Sequence, residues 1–232
     1  MFAYERTDDR LTIGRPDTRW LSNGFDGGYA TAAAAHNLTV EEGFDRTDLA
    51  VYAAERLGSS PIGPTLLTGV HQTNARGARY GPIEAVATAG LSNPAVLPLE
   101  ASDDQGSATP TKADSGFEPG TVNVLLGSAE PLTDGGLAGM LATVVEAKTA
   151  TLLEFAGCTG TTSDAVVVGS PDRTDGAAFA GSSTEIGNAA RVCVRDAVVA
   201  ALNARYEGED APAIDESPYG TVTSGSATVF EP

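Results

Sequence analysis

The chain has 232 residues and a formal charge of −17, from 31 acidic and 14 basic side chains, twelve of the latter arginine and two lysine. That balance excludes a nucleic-acid partner and disfavours an anionic membrane surface, because a phosphate backbone is gripped by clustered Lys and Arg. No run approaches the roughly 18 apolar residues of a membrane span, and the opening "MFAYERTDDR" is too charged to read as a signal peptide.

In chain order, "LTIGRPDTRWLSNGFDGGYATAAAAHNLTV" begins as a strand, breaks in an Asn/Gly-rich turn at Ser22 to Gly28, and resumes as a small-residue segment. "DRTDLAVYAAERLG", residues 45 to 58, predicts a helix capped by Thr47 and stopped by Gly58. Two apolar, β-rich runs follow, "TLLTGV" at 65 to 70 and "IEAVATAGL" at 83 to 91; the twelve residues between them suit an antiparallel pair with a long loop. Residues 94 to 119 are acidic and rich in Ser, Pro and Gly, and are expected to form a solvated surface excursion.

"GTVNVLLGSAEPL" predicts a strand over 120 to 127. "TDGGLAGMLATVVEAKTATLLEFAG" predicts the longest helix, capped by Asp134 and ended by Gly157. "TGTTSDAVVVGSP" reads as a hydroxyl-rich turn feeding a buried strand at 164 to 169. "SSTEIGNAARVCVRDAVVAALNARY" opens with a Ser182/Glu185 capping box and runs as a helix to about Tyr206. The expected organisation is one α+β domain over residues 1 to 206, a sheet or pair of sheets covered by helices, with a polar, frayed tail from 207 to 232.

Acid-rich, lysine-poor surfaces suit a protein kept soluble in concentrated salt, where the Debye length shrinks to about 3 Å. A halophile's cytoplasmic protein is the reading, and the two cysteines, Cys158 and Cys193, without C-x-x-C spacing, suit a reducing compartment. With two histidines, His36 and His71, no protein-ligated metal is expected, and no cofactor.

Lys148 carries the sharpest signal. Stepping back from Phe155 through Leu152 places it on the stripe with Val145 or Val144, Leu141 and Leu137 that should face the core. A snorkelling surface lysine is one account; a compact donor aimed at a carboxylate or a developing oxyanion is the other. Glu146 lies about 200° around the helix from Lys148, so spacing alone does not bring the two together.

"TGTTSD" puts four hydroxyls and Asp164 at the mouth of a buried strand, which suits either an oxygen-rich ligand or an ordinary turn. The glycines of "LSNGFDGG" allow close approach to a ligand or simply build a turn. Asn123, set in a Val/Leu strand, either bonds across the sheet or points into a polar pocket, and Ser92 and Asn93 end the preceding strand in the same manner. No P-loop, G-x-S-x-G elbow or G-x-G-x-x-G is present, so phosphoryl transfer, ordinary α/β-hydrolase chemistry and dinucleotide redox lose support.

Four stretches in order, "RWLSNGFDGG", "GTVNVLL", "EAKTATLLE" and "TGTTSDAVVV", resemble the adenosylcobinamide amidohydrolases, the CbiZ family of corrinoid salvage in archaea and some bacteria. The resemblance spans roughly residues 15 to 205. It departs from the family's pattern at Thr162 and Ser163, at Pro94 after Asn93, and at Ser183, where many relatives have His.

The resemblance implies hydrolysis of the amide joining the aminopropanol arm to the corrin ring's propionate, releasing adenosylcobyric acid for coenzyme B12 synthesis. The partner is then a corrinoid small molecule whose cobalt belongs to the substrate, and a homo-oligomer is allowed. On the chemistry of amide hydrolysis, Lys148 takes the oxyanion or leaving-group role and Asp164 activates water; Thr161 or Ser163 is the rival nucleophile, and Glu146, otherwise a solvated surface acid, is kept among the catalytic candidates. Ser22, Asn23, Gly24, Ser92, Asn93 and Asn123 are expected to hold the corrinoid's peripheral amides. A corrinoid- or nucleotide-binding module without catalysis is the alternative. The strand, long helix, hydroxyl turn, strand order from 120 to 168 is also similar to the amidase and ornithine acetyltransferase sandwiches, which implies an αββα arrangement.

Overall fold

A computed structural model describes residues 1–58, 63–99, 120–207, 217 and 220–232. Eight strands form one sheet: β1 (Ala3–Arg6), β2 (Arg10–Ser22), β3 (Gly28–Thr39), β4 (Thr65–Thr68), β5 (Arg76–Tyr80), β6 (Ile83–Thr88), β8 (Asn123–Ser128) and β10 (Ala165–Pro171). Their order is β4-β3-β2-β10-β8-β6-β5, with β1 pairing β2. β7 (Pro94–Val96), β9 (Gly160–Thr161) and β11 (Thr221–Val222) make a small second sheet.

β2 and β3 pair antiparallel across the expected Ser22–Gly28 turn, with Ser22 opposite Gly28, so the small-residue segment after the turn is a strand. β2 runs for 13 residues and β3 for 12, and along β3 exposed and half-exposed residues alternate through the Ala-rich run until burial begins at Ala35. A register shift between Gly14 and Thr18, where Asp17 takes φ 53°, bends β2. β3 pairs with β2 on both sides of the bend, but the other edge of β2 divides: Leu11–Gly14 pair with β1, and Thr18–Ser22 pair antiparallel with β10.

The sheet thereby folds over itself. Asn37 on β3 donates to the Thr88 hydroxyl on β6 (2.9 Å), although three strands separate them in the sheet order. Tyr4 on β1 likewise reaches the Glu84 carboxylate on β6 (2.7 Å). Phe2, Ile13, Trp20, Ala35, Leu66, Leu125 and Val167 fill the space enclosed, with Trp20 lying over Gly169, where a Cβ would meet its ring at 2.3 Å.

The outer face of β6, β8 and β10 is covered by α2 (Asp134–Ala156) and α3 (Glu185–Arg205). Strands buried on both faces read as continuous apolar runs, which accounts for "VLL" and "AVVV". Val124, Leu126, Val166 and Val168 belong to the helix side, and Leu125 and Val167 to the other. The domain is α+β, as expected. Among the described residues α2 and α3 pack side by side as one helical layer, and α1 (Leu49–Leu57) sits apart from it.

Several local expectations are corrected. The 65–70 and 83–91 runs do not pair: β4 pairs parallel with β3, and β6 lies between β8 and β5. The intervening loop itself holds β5, whose short "RGARY" gives no apolar pattern because it is an exposed edge strand. The helix caps shift by one or two residues. Thr133, not Asp134, caps α2 by accepting from the Gly136 N–H (3.1 Å), and Thr184, not Ser182, caps α3 through Gly187 (3.0 Å). α1 begins after Asp48 with no side-chain cap, so Thr47 does not serve; Gly58 ends it in the left-handed conformation, as does Gly157 for α2.

Residues 94 to 96 are strand rather than excursion, and residues 100–119 of that segment lie outside the described residues. The tail returns to the body: Thr221 and Val222 pair parallel with Ala95 and Val96.

Candidate active site

The inner face of α2 comprises Leu137, Met140, Val144, Ala147, Lys148, Thr151 and Leu152. The expected stripe therefore holds from Leu137 to Leu152, while Phe155 is exposed and Leu141 and Val145 are half-buried at its margin. Lys148 is 5% exposed and does not snorkel. It forms an ion pair with Asp164, whose side chain is 10% exposed.

Asp164 stands one residue before β10, at the end where β8 also begins, since these strands run parallel with Ala165 opposite Asn123. Its carboxylate accepts from four donors. Oδ2 takes the Lys148 ammonium and the Thr161 N–H (3.0 Å); Oδ1 takes the Thr161 hydroxyl and the Val122 N–H (2.8 Å). A charge this deep needs such partners, because removing water from an unpaired carboxylate costs several kcal/mol. Thr161 has turned its hydroxyl and its backbone on the same carboxylate, which closes the 161–164 turn.

Gly160 makes the approach possible. A Cβ there would lie 2.7 Å from Asp164 Oδ2 and 3.3 Å from Lys148 Nζ, so any side chain would wedge between the charges. Next to it, burial pushes the Cys158 thiol above its ordinary pKa, and burial pushes Cys193 up to about 11. Both cysteines are free, fully buried and protonated at neutral pH, so neither has the thiolate character of a nucleophile.

On the other side of Asp164 opens a cavity of about 430 Å³, lined by Asn23, Gly24, Phe25, Phe44, Leu66, Thr121, Ser163 and Asp164 among others. Ser163 and Thr121 pair their hydroxyls at 2.7 Å on its wall. Lys148 and Thr161 are not part of the lining; they hold the carboxylate from behind. Sequence reasoning missed Thr121, Phe25, Phe44 and Arg46. Thr121 carried a legible signal, a hydroxyl just before an apolar strand like Ser163, but its partner lies 42 residues away.

The remaining expected residues disperse. Asn23 lines the cavity while its Oδ1 accepts from the Val166 N–H (2.6 Å), and Gly24 lines it beside Leu66. Ser22 is buried, its hydroxyl accepting from the Gly24 N–H (3.1 Å), so it shapes the turn instead of facing a ligand.

Asn123 is fully buried. It donates to Asn37 Oδ1 and the Leu67 carbonyl (2.9 Å each) and accepts from the Ala165 N–H (3.2 Å), so the cross-sheet account applies and it cannot reach a substrate rim. Asn93 is buried with its amide nitrogen on the Thr162 hydroxyl (2.6 Å), and its Oδ1 has no partner among the described residues. Ser92 faces a different cavity. Glu146 is exposed on the outer side of α2, 3.6 Å from Arg191, and takes no part in the cluster. Among the described residues no three His, Cys, Asp or Glu side chains converge as metal ligands would.

A family profile described as adenosylcobinamide amidohydrolase matches residues 6–210. An adenosylcobinamide amidohydrolase of Halobacterium salinarum is 40% identical over 237 residues, an alignment spanning 100% of both chains. Among solved structures, a Burkholderia sp. beta-aminopeptidase aligns with 86% of this chain and 81% of its own at 11% identity and a TM-score of 0.41.

Proposed function

The chain belongs to the adenosylcobinamide amidohydrolase family, and from that membership we propose that it cleaves its amide with Asp164 as the acid–base group and water as the attacker. The substrate is adenosylcobinamide, cut between the aminopropanol arm and the corrin ring to give adenosylcobyric acid. The observation that carries this reading is the position of Asp164, its carboxylate exposed to the 430 Å³ cavity on one side and held by Lys148 on the other.

The step is a conventional hydrolysis. Asp164 takes one proton of a water as its oxygen bonds to the amide carbon. The carbon–nitrogen bond then breaks while that proton passes to the departing amine, and the acid product loses its own proton to leave a carboxylate and an ammonium. The Ser163–Thr121 hydroxyl pair supplies a donor for the oxyanion, and the Asn23 amide nitrogen a contact for a substrate carbonyl. Lys148 acts as a positioning residue in place of the oxyanion donor expected from sequence, because it lies behind the carboxylate and not on the cavity wall. Two buried, unpaired thiols support a reducing, cytoplasmic setting.

The test is turnover of adenosylcobinamide to adenosylcobyric acid. Asp164→Asn should lower kcat by roughly 10²- to 10⁴-fold, the range of a lost acid–base group, and normal turnover in that folded variant would move the base elsewhere. Ser163→Ala should keep measurable turnover with no acyl-enzyme trapped by hydroxylamine; complete loss, or a trapped adduct on the wild type, would make a hydroxyl the attacker.

A further inference from the structure

We infer that the corrin macrocycle is seated in a second, acidic cavity of about 890 Å³ that adjoins the catalytic one at Val40. This rests on the corrinoid reading above and adds to it a binding site for the body of the substrate. The ligand class is a positively charged macrocycle rimmed with carboxamides.

Size requires a second site. Drug-sized ligands fill pockets of about 300–1,000 Å³, and a corrinoid is larger than these, so a 430 Å³ cavity accommodates the amide-bearing arm but not the ring. Val40 lines both cavities, so the two are neighbours, and the second is the adjoining space that can take the body of a ligand whose arm reaches Asp164.

Chemistry agrees with size. The second cavity is lined by four carboxylates, Asp8, Asp9, Glu41 and Glu42, against the two guanidinium groups of Arg56 and Arg205. Arg56 is already paired with Asp9 at 2.6 Å. A cobalt(III) corrin with one alkyl ligand carries a single positive charge, which this excess of carboxylates favours. Ser92 and His71 in the same wall offer polar atoms to carboxamides on the rim. Ser92, expected from sequence to hold substrate amides, thus has a place, although not beside Asp164.

The test titrates the full chain with aquacyanocobinamide, a singly charged corrinoid, following its visible absorbance, and measures kcat and KM for adenosylcobinamide. The triple variant Asp8→Asn/Glu41→Gln/Glu42→Gln should raise Kd and KM by about three- to tenfold, the scale of a few partly exposed charge contacts, with kcat within about twofold. A control with the same charge change on the helical side, Glu130→Gln/Glu154→Gln/Asp196→Asn, should leave Kd within about twofold. Unchanged Kd in the first variant, or equal weakening in the control, overturns the inference. Binding that weakens as stated in a protein with no turnover supports the seat and instead overturns the hydrolytic reading.

Discussion

Replacing Lys148 with Met keeps the volume of the side chain and removes its charge, leaving Asp164 buried without a counter-charge. Breaking a buried ion pair costs about 3–5 kcal/mol. Asp164 keeps three other donors, Thr161 N, Thr161 Oγ1 and Val122 N, which places the expected loss near the lower end, about 3 kcal/mol. For a chain of this size that is roughly 6–12 °C in Tm. Asp164→Asn should cost a similar amount by stranding the ammonium.

Thermal unfolding of wild type, both single variants and the double variant closes the cycle, and the double should be more stable than the sum of the singles implies by about 2 kcal/mol. The coupling should persist in molar salt, because buried pairs are screened little. In the same Lys148→Met protein kcat should fall at least tenfold while KM changes little, the signature of a misplaced catalytic carboxylate. Additivity within about 0.5 kcal/mol, or a full kcat in the folded variant, would refute the pair as the centre of the site.

Gly160→Ala should act on the same pair from the side: its Cβ would fall 2.7 Å from Asp164 Oδ2, so turnover should drop by about tenfold or more, read as kcat in protein shown to be folded by circular dichroism. Glu146→Gln should leave kcat and KM within about twofold, since the carboxylate is exposed and is paired with Arg191 on the outer side of α2; a larger loss would return it to the site. His36, half-buried on β3, has its pKa lowered from 6.5 to about 4, chiefly by burial and then by Arg10. The unfolded chain therefore takes up the proton first, and stability falls as pH drops from about 6.5 to about 4 and levels off below. Discounted for the ring's partial exposure, this is on the order of 1–2 kcal/mol, and Tm against pH should be flatter over that window for His36→Gln than for wild type.

Local chemistry was legible wherever one segment determined it. Gly58 and Gly157 stop their helices because a left-handed residue is needed there, and the Asn/Gly-rich stretch at 22–28 is the turn its composition indicated, although the small-residue segment after it did not declare itself a strand. The oddity of Lys148 could be seen from helical spacing alone, since a charge at a core position requires a partner whatever the fold. The hydroxyl-rich mouth of β10 stood out for the same kind of reason.

Which partner, and which side of it faces the cavity, was decided only by tertiary structure. A strand buried on both faces shows no alternation, so β6 and β8 carried no record of their neighbours, and the runs at 65–70 and 83–91 could be assigned a false pairing. Asn123 proved structural because β3 folds over β8 and supplies Asn37, a contact made across 86 residues. Thr121 joined the site, and Lys148 moved behind Asp164, for one reason. Parallel pairing of β8 with β10 brings two strand beginnings side by side, and the bend in β2 then folds the sheet's other half across them, so that a cavity opens on one face of the carboxylate and not the other.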